Sequence, residues 1–174
     1  MTDVAATELS GDHLTLALVT SAHVPELRRI LLTPAVRARW RDEAASPQWP
    51  SDDPSSTRYA VVVEGTVRGM VQYVEENEPD YRHASIDIFL DPDIHGRGVG
   101  RDAVRTLARH LVNDRRHHRL VIDPAVDNEA AIRCYAAVGF RPVGVMRNYE
   151  RDADGAGWHD GLLMDLLAEE LDGP

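Results

Sequence analysis

From Asp91 to Arg101 the chain reads Asp-Pro-Asp-Ile-His-Gly-Arg-Gly-Val-Gly-Arg. Three glycines at alternate positions allow a tight turn that gathers successive backbone N–H groups into one concavity. A helix starting there adds unpaired N–H groups and partial positive charge, which favour an anion. His95, Gly96, Gly98, Val99 and Gly100 would supply main chain, while Arg97 and Arg101 would add charge-assisted hydrogen bonds. A pyrophosphate suits such a cradle. Two other phosphate loops are excluded: GxGxxG needs glycine where Arg101 stands, and a P-loop needs lysine. All nineteen basic residues are Arg, which also removes Schiff-base chemistry.

The cradle needs a strand before it and a helix after it. Ala84–Leu90 alternates, with Ile86, Ile88 and Leu90 on one side and Ser85, Asp87 and Phe89 on the other. Residues 101–116 place Val104, Leu107, Ala108, Leu111 and Val112 on one helical stripe. Arg119–Asp123 reads as a strand stopped by Pro124. This strand-helix-strand unit predicts a parallel pair, because a helical crossover returns the chain in the same direction. Asn128–Val138 predicts a helix, with Asp127 or Asn128 as N-cap and Gly139 as its stop.

Upstream, Leu14–Val19 predicts a strand, His23–Leu32 a helix, and the residues after Pro34 a second short helix. Arg58–Glu64 and Val67–Glu75 predict a hairpin turning at Glu64-Gly65. Val143–Arg147, with the strand beginning near Phe140, and Gly161–Leu167 are the last strands, separated by a loop over Glu150–Gly157. Ser46–Pro54 holds three prolines and reads as a loop within one domain. The expectation is a single domain over residues 1–174, with a flexible lead over residues 1–12.

A second motif follows the cradle by about thirty residues: Asn128, Ala131, Tyr135, Gly139 and Phe140 match N-x-x-A-x-x-x-Y-x-x-x-G-F. Together with His95-Gly96-Arg97-Gly98-Val99-Gly100, close to [QR]-x-x-G-x-[GA], it resembles the Gcn5-related N-acetyltransferase (GNAT) superfamily. His95 stands where that family usually has Gln or Arg. The resemblance covers about Leu14 to Leu167. It implies an α/β fold with a central mixed, twisted sheet of six to seven strands and helices on both faces. It also implies a parallel strand pair that splays to admit acetyl-CoA. Here the pair would be Ala84–Leu90 and Arg119–Asp123. A backbone N–H near Phe89 or Leu90 would bind the thioester oxygen. Asp123, Asn128 and Arg133 would join the glycine turn in holding acetyl-CoA. Tyr135 would be the acid facing the coenzyme sulfur. Asp87, pointing away from the core side of its strand, would be the base, with Glu75 and Glu76 as alternatives.

Within the family, Ile86-Asp87-x-x-Leu90, Ala131–Phe140 and Trp40 look most like aminoglycoside 6′-N-acetyltransferases. The stretch before the cradle strand, Glu76–His83, is shorter than the insertion those enzymes carry. Trp158–Met164 also resembles the RimJ/RimL branch, which acetylates protein N-termini. The acceptor implied is therefore a small cationic amine such as an aminoglycoside, or else a basic peptide. A non-catalytic protein that binds acetyl-CoA or a cation is the third reading. Seven acids and one Arg lie between Glu75 and Asp93, a stretch suited to attracting a polycation. Trp40 and Trp49, flanking the proline-rich loop, are candidates to stack on the acceptor or to fill the core. The family commonly forms dimers, so a homodimer is among the expected partners.

Nineteen basic against twenty-nine acidic residues give a net charge of -10, which disfavours nucleic acid and anionic membrane as partners. The chain holds no long apolar run and opens without a basic-then-apolar signal, so cytoplasm is the expected location. The single Cys134 excludes an internal disulfide, and no Cys/His spacing predicts a metal.

Overall fold

Alternation along the strands buries two separate sets of side chains, one on each face of a single sheet. A computed structural model describes residues 5–40, 46–50 and 53–172. Its strands are β1 (Glu8–Ser10), β2 (Thr15–Leu18), β3 (Ser56–Val63), β4 (Thr66–Glu76), β5 (His83–Leu90), β6 (Arg119–Ile122), β7 (Arg141–Arg151) and β8 (Trp158–Leu167). The helices are α1 (Val24–Leu31), α2 (Pro34–Arg37), α3 (Val99–Asn113) and α4 (Glu129–Val138). The sheet order is β1-β2-β3-β4-β5-β6-β8-β7. Among the described residues only β5 and β6 run parallel; every other neighbouring pair is antiparallel.

β5 shows why both faces need helices. Ala84 and Ile86 enter a core with Val104, Leu107 and Leu111 of α3 and Tyr135 and Val138 of α4. Phe89 points the other way, into a second core with Leu27, Ile30 and Leu31 of α1 and Met70 of β4. The period of two places Asp87 on the α1 side of the sheet. The β3–β4 hairpin turns at Glu64-Gly65, both at positive φ (50° and 75°), as a tight two-residue turn requires.

Three differences from the sequence reading have physical causes. The sheet has eight strands, because residues 8–10, expected within the flexible lead, pair with β2. The following turn is pinned to α3: the backbone N–H groups of Asp12 and His13 donate to the Asp102 carboxylate at 3.0 and 2.8 Å. Second, α3 starts at Val99 rather than Arg101. Gly98 at φ 79° accepts the first helical hydrogen bond, from Asp102 N–H at 3.0 Å. Third, β7 and β8 run past their expected ends because each completes the other's ladder, with register shifts near Pro142 and Met146. Residues 1–4, and Ser51 and Asp52 of the proline-rich loop, lie outside the described residues.

Gly69 sits where β4 meets the end of β5. A Cβ there would lie 2.2 Å from the Phe89 carbonyl oxygen and 2.8 Å from the Leu90 side chain. Gly69→Ala is expected to destabilise the fold by about 1–3 kcal/mol, the usual cost of overpacking. The check is a lower urea midpoint at unchanged slope.

Candidate active site

The parallel ladder between β5 and β6 is brief: Ala84 pairs with Leu120 and Ser85 with Val121. Beyond Ser85 the two strands part. Asp91 N–H donates to the Arg68 carbonyl on β4 at 2.7 Å. Counting back in twos along a regular antiparallel register, the backbone groups of Phe89 and Asp87 also face β4. Those of Ile88 and Leu90 therefore face the gap beside β6. This corrects one expected contact. The N–H of Phe89 belongs to the β4 ladder and its ring to the α1 core, so Leu90, together with Ile88, supplies the main chain facing the gap.

The glycine turn has the form its residues require. Gly96 and Gly98 have φ of 76° and 79°, and a Cβ on either would meet nothing within 4 Å. Those are conformations only glycine adopts without strain. Because α3 begins at Val99, the N–H groups of Val99, Gly100 and Arg101 precede the first helical bond and have no partner within the helix. His95 and Arg97 are exposed on the turn, and His95 Nε2 lies 3.2 Å from the Leu90 carbonyl. Open glycines, unpaired N–H groups and a nearby strand gap fit a diphosphate with an extended arm.

On the α1 side lies a cavity of about 900 Å³, reaching from α2 across β5 and β6 to the β7–β8 hairpin. Asp87, Trp40, Asp123, Asn128 and Tyr135, all selected from the sequence, line it. Tyr135 is buried with Phe140 in edge contact, ring centroids 6.5 Å apart. Burial, with Cys134, Asp87 and Asp123 adding, raises its hydroxyl above the ordinary phenol range. Asp123 is raised as well: burial dominates over the hydrogen bond that Tyr149 Oη donates to it at 2.5 Å. Trp40 rests edge-on against Phe89 at 5.0 Å, which ties the cavity wall to the α1 core.

The cavity lining carries six carboxylates (Asp87, Asp123, Asp127, Glu150, Asp152 and Asp154) against two arginines, Arg37 and Arg39. Arg39 pairs with Asp127 at 2.5 Å, and this hydrogen bond lowers the Asp127 carboxyl below its usual range. His159 lies between Glu150 (3.3 Å) and Asp152 (3.0 Å). Gln72, opposite Asp87 across the β4–β5 ladder, completes the wall. The sequence reading missed Gln72, Arg39, Tyr149, His159 and the acids of the β7–β8 hairpin. The only signal for the last group was the acid density of Glu150–Asp154.

Other expected site residues lie elsewhere. Trp49 is 2% exposed in the α1 core, with the Arg28 guanidinium 5.6 Å from its ring, so it packs the fold rather than lining the cavity. Glu75 is three residues past Gln72 and so faces the opposite side of the sheet. It accepts from Arg115 at 2.8 Å and sits 2.8 Å from the buried His117. Glu76 accepts from Glu78 N–H in the β4–β5 turn. Asp91 is buried among arginines. Of the acids in the Glu75–Asp93 stretch, Asp87 alone is among the cavity-lining residues. Asn128 Oδ1 caps α4 through Ala131 N–H at 3.3 Å. Arg133 is exposed and paired with Glu129 at 3.3 Å.

Residues 24–140 match the Acetyltransferase (GNAT) family, and the chain belongs to it. It is an acetyl-CoA-dependent N-acetyltransferase. It is 31% identical over 159 residues to "Aminoglycoside N(6′)-acetyltransferase type 1" of Klebsiella pneumoniae, covering 79% of this chain and 78% of that one. It is 36% identical over 73 residues to "N-alpha-acetyltransferase RimI" of Mycobacterium tuberculosis, covering 42% of this chain and 44% of that protein. Among solved structures, Mycobacterium smegmatis RimJ in complex with CoA-disulfide superposes with a TM-score of 0.84 at 20% identity, over 95% of this chain and 90% of that one.

The Glu75–His117 pair makes stability sensitive to acid. Burial pushes Glu75 up, but the hydrogen bonds from Arg115 and His117 outweigh it and the net shift is downward. Burial lowers His117 despite Glu75. Both groups therefore hold more protons unfolded than folded at mildly acidic pH, and stability rises with pH there. Their contribution is full above about pH 6.5 and is lost as pH falls through the depressed folded values. Tm is expected to drop between pH 7 and pH 4.5, and His117→Gln, which removes the buried titrating ring, should flatten that slope. Equal slopes in the two proteins would count against it.

Proposed function

We propose that this enzyme transfers the acetyl group of acetyl-CoA to a primary amine of a small polycationic acceptor, with an aminoglycoside as the leading candidate. The observation that carries this reading is the excess of carboxylates lining the cavity that contains both Asp87 and Tyr135. Several fixed negative charges around one cavity draw in and orient a ligand bearing several ammonium groups. The match to the aminoglycoside enzyme over most of both chains supports the same acceptor class.

Acetyl-CoA supplies the activated acetyl group. The glycine turn would hold its diphosphate through the N–H groups of Val99, Gly100 and Arg101, with Arg97 adjacent. The gap-facing main chain of Ile88 and Leu90 would pair with the pantetheine arm and the thioester oxygen. An alkylamine of pKa about 10.4 is mostly protonated at pH 7, and freeing it costs roughly 4 to 5 kcal/mol. Asp87, on the cavity wall, receives that proton directly or through water. Tyr135 keeps its own proton at every working pH and offers it to the departing sulfur. A thiolate of pKa about 8.5 leaves readily, so the acid has the lighter task.

A second reading, acetylation of a protein or peptide N-terminus, is favoured by the RimI match over 42% of the chain. Free-thiol release assayed with aminoglycosides, polyamines and basic N-terminal peptides separates the two. Turnover is expected with the first group, and turnover confined to peptides would overturn the acceptor assignment. Asp87→Asn should lower kcat by about 10² to 10⁴, and Tyr135→Phe by about 10², the lower end of that range. Because the Tyr135 hydroxyl is raised, the pH profile of kcat should show no falling limb below about pH 10, the ordinary phenol value. A limb there that vanishes in Tyr135→Phe would contradict this.

A further inference from the structure

We propose that Asp91 is a positioning residue for coenzyme binding, because its buried carboxylate clamps the entrance of the glycine turn to α1 and β4. The inference rests on the reading that the turn holds the coenzyme diphosphate.

Asp91 follows β5 and is 2% exposed. A carboxylate so buried persists only where partners replace its water. Here both oxygens are used. Oδ1 accepts from Asp93 N–H at 3.1 Å, which caps the short helical turn Pro92–Ile94. Oδ2 accepts from Arg29 Nη2 of α1 at 2.7 Å and lies 3.5 Å from Arg68 Nη1 of β4. The main chain joins in: Asp91 N–H donates to the Arg68 carbonyl at 2.7 Å, and Ile94 N–H donates to the Asp91 carbonyl at 3.1 Å. These partners lower the Asp91 carboxyl even though burial opposes them.

The consequence concerns the turn. Its far end is fixed by α3. Its near end, seven residues before Gly98, is held by this carboxylate together with the Asp91 main chain. Gly96 and Gly98 give the turn no rigidity of their own. With Asp91 in place the N–H cradle is ordered before the coenzyme arrives. Without it, the coenzyme has to supply that ordering, which weakens binding while leaving the chemistry of bound substrates alone.

The test is calorimetric titration of coenzyme A into the full chain, with kcat measured at saturating acetyl-CoA. Asp91→Ala is expected to weaken coenzyme A binding about tenfold or more, tenfold being 1.4 kcal/mol. Asp91→Asn, which retains an acceptor for Asp93 N–H but not the charge, should fall between it and the parent. Arg29→Met should weaken binding in the same direction. In all three, kcat and the acceptor KM should stay within about a factor of two. Folded Asp91→Ala and Arg29→Met proteins that bind coenzyme A as the parent does would overturn the proposal. Should Asp91→Ala fail to fold, the half-exposed Arg29 decides alone, and unchanged binding in Arg29→Met rejects the clamp. Arg97→Glu separates the underlying reading. If it weakens binding while the Asp91 variants do not, the clamp alone is wrong. If it leaves binding intact while Asp91→Ala weakens it, Asp91 acts on the coenzyme by another route, and both the clamp and the assignment of the diphosphate to the turn are wrong.

Discussion

β5 and β6 share two ladder pairs and then diverge, and almost every functional feature descends from that parting. A strand in mid-sheet normally satisfies its backbone on both edges. Past Ile86, β5 pairs only along the edge toward β4. The main-chain groups of Ile88 and Leu90 on the other edge lie beyond the β6 ladder, with the His95 ring 3.2 Å from the Leu90 carbonyl. A substrate with an extended amide-bearing arm can act as a partner there. The divergence also makes room on the α1 side of the sheet, where Asp87 from one strand and Asp123 from just beyond the other line one cavity with Tyr135. Pro124 prevents β6 from continuing as a central strand.

Charge is sorted in space rather than along the chain. The acids between Glu75 and Asp93 look like one patch in a linear reading. Strand alternation separates them. Glu75 goes to Arg115 and His117 on one face, Asp91 to Arg29 and Arg68, and Asp87 to the cavity. Ion pairs hold the first two away from the cavity. The negative character of the cavity comes instead from the β6–α4 connection and the β7–β8 hairpin, segments more than thirty residues downstream. Its two arginines come from α2 and the residue just beyond Ala38, and Arg39 is tied to Asp127.

Much of this was legible beforehand because short-range rules decide it. Gly96 and Gly98 adopt φ values that few other residues tolerate. The Asn128 side chain caps α4, as its type and position imply. The alternation of Ile86, Asp87 and Ile88 sends Asp87 to the face opposite the α3 core. The lesser errors were also local. The helix after the glycine turn starts at Val99, two residues before the expected Arg101, because Gly98 can cap it. β1 was overlooked because three residues carry too little pattern; Asp102, distant in sequence, pins the turn beyond it.

The amino-acid sequence by itself determined the order of elements from β2 onward, the glycine conformation of the turn, and the face of β5 on which Asp87 lies. Each follows from residue type and spacing within a few turns of chain. Only the tertiary structure decided which acids line the cavity, that Trp49 packs a core while Trp40 lines a wall, and that Leu90 rather than Phe89 faces the gap. Those outcomes depend on which edge and which face of the sheet a residue occupies once distant strands have paired. Hydrogen-bond register settles that, and no local pattern encodes it.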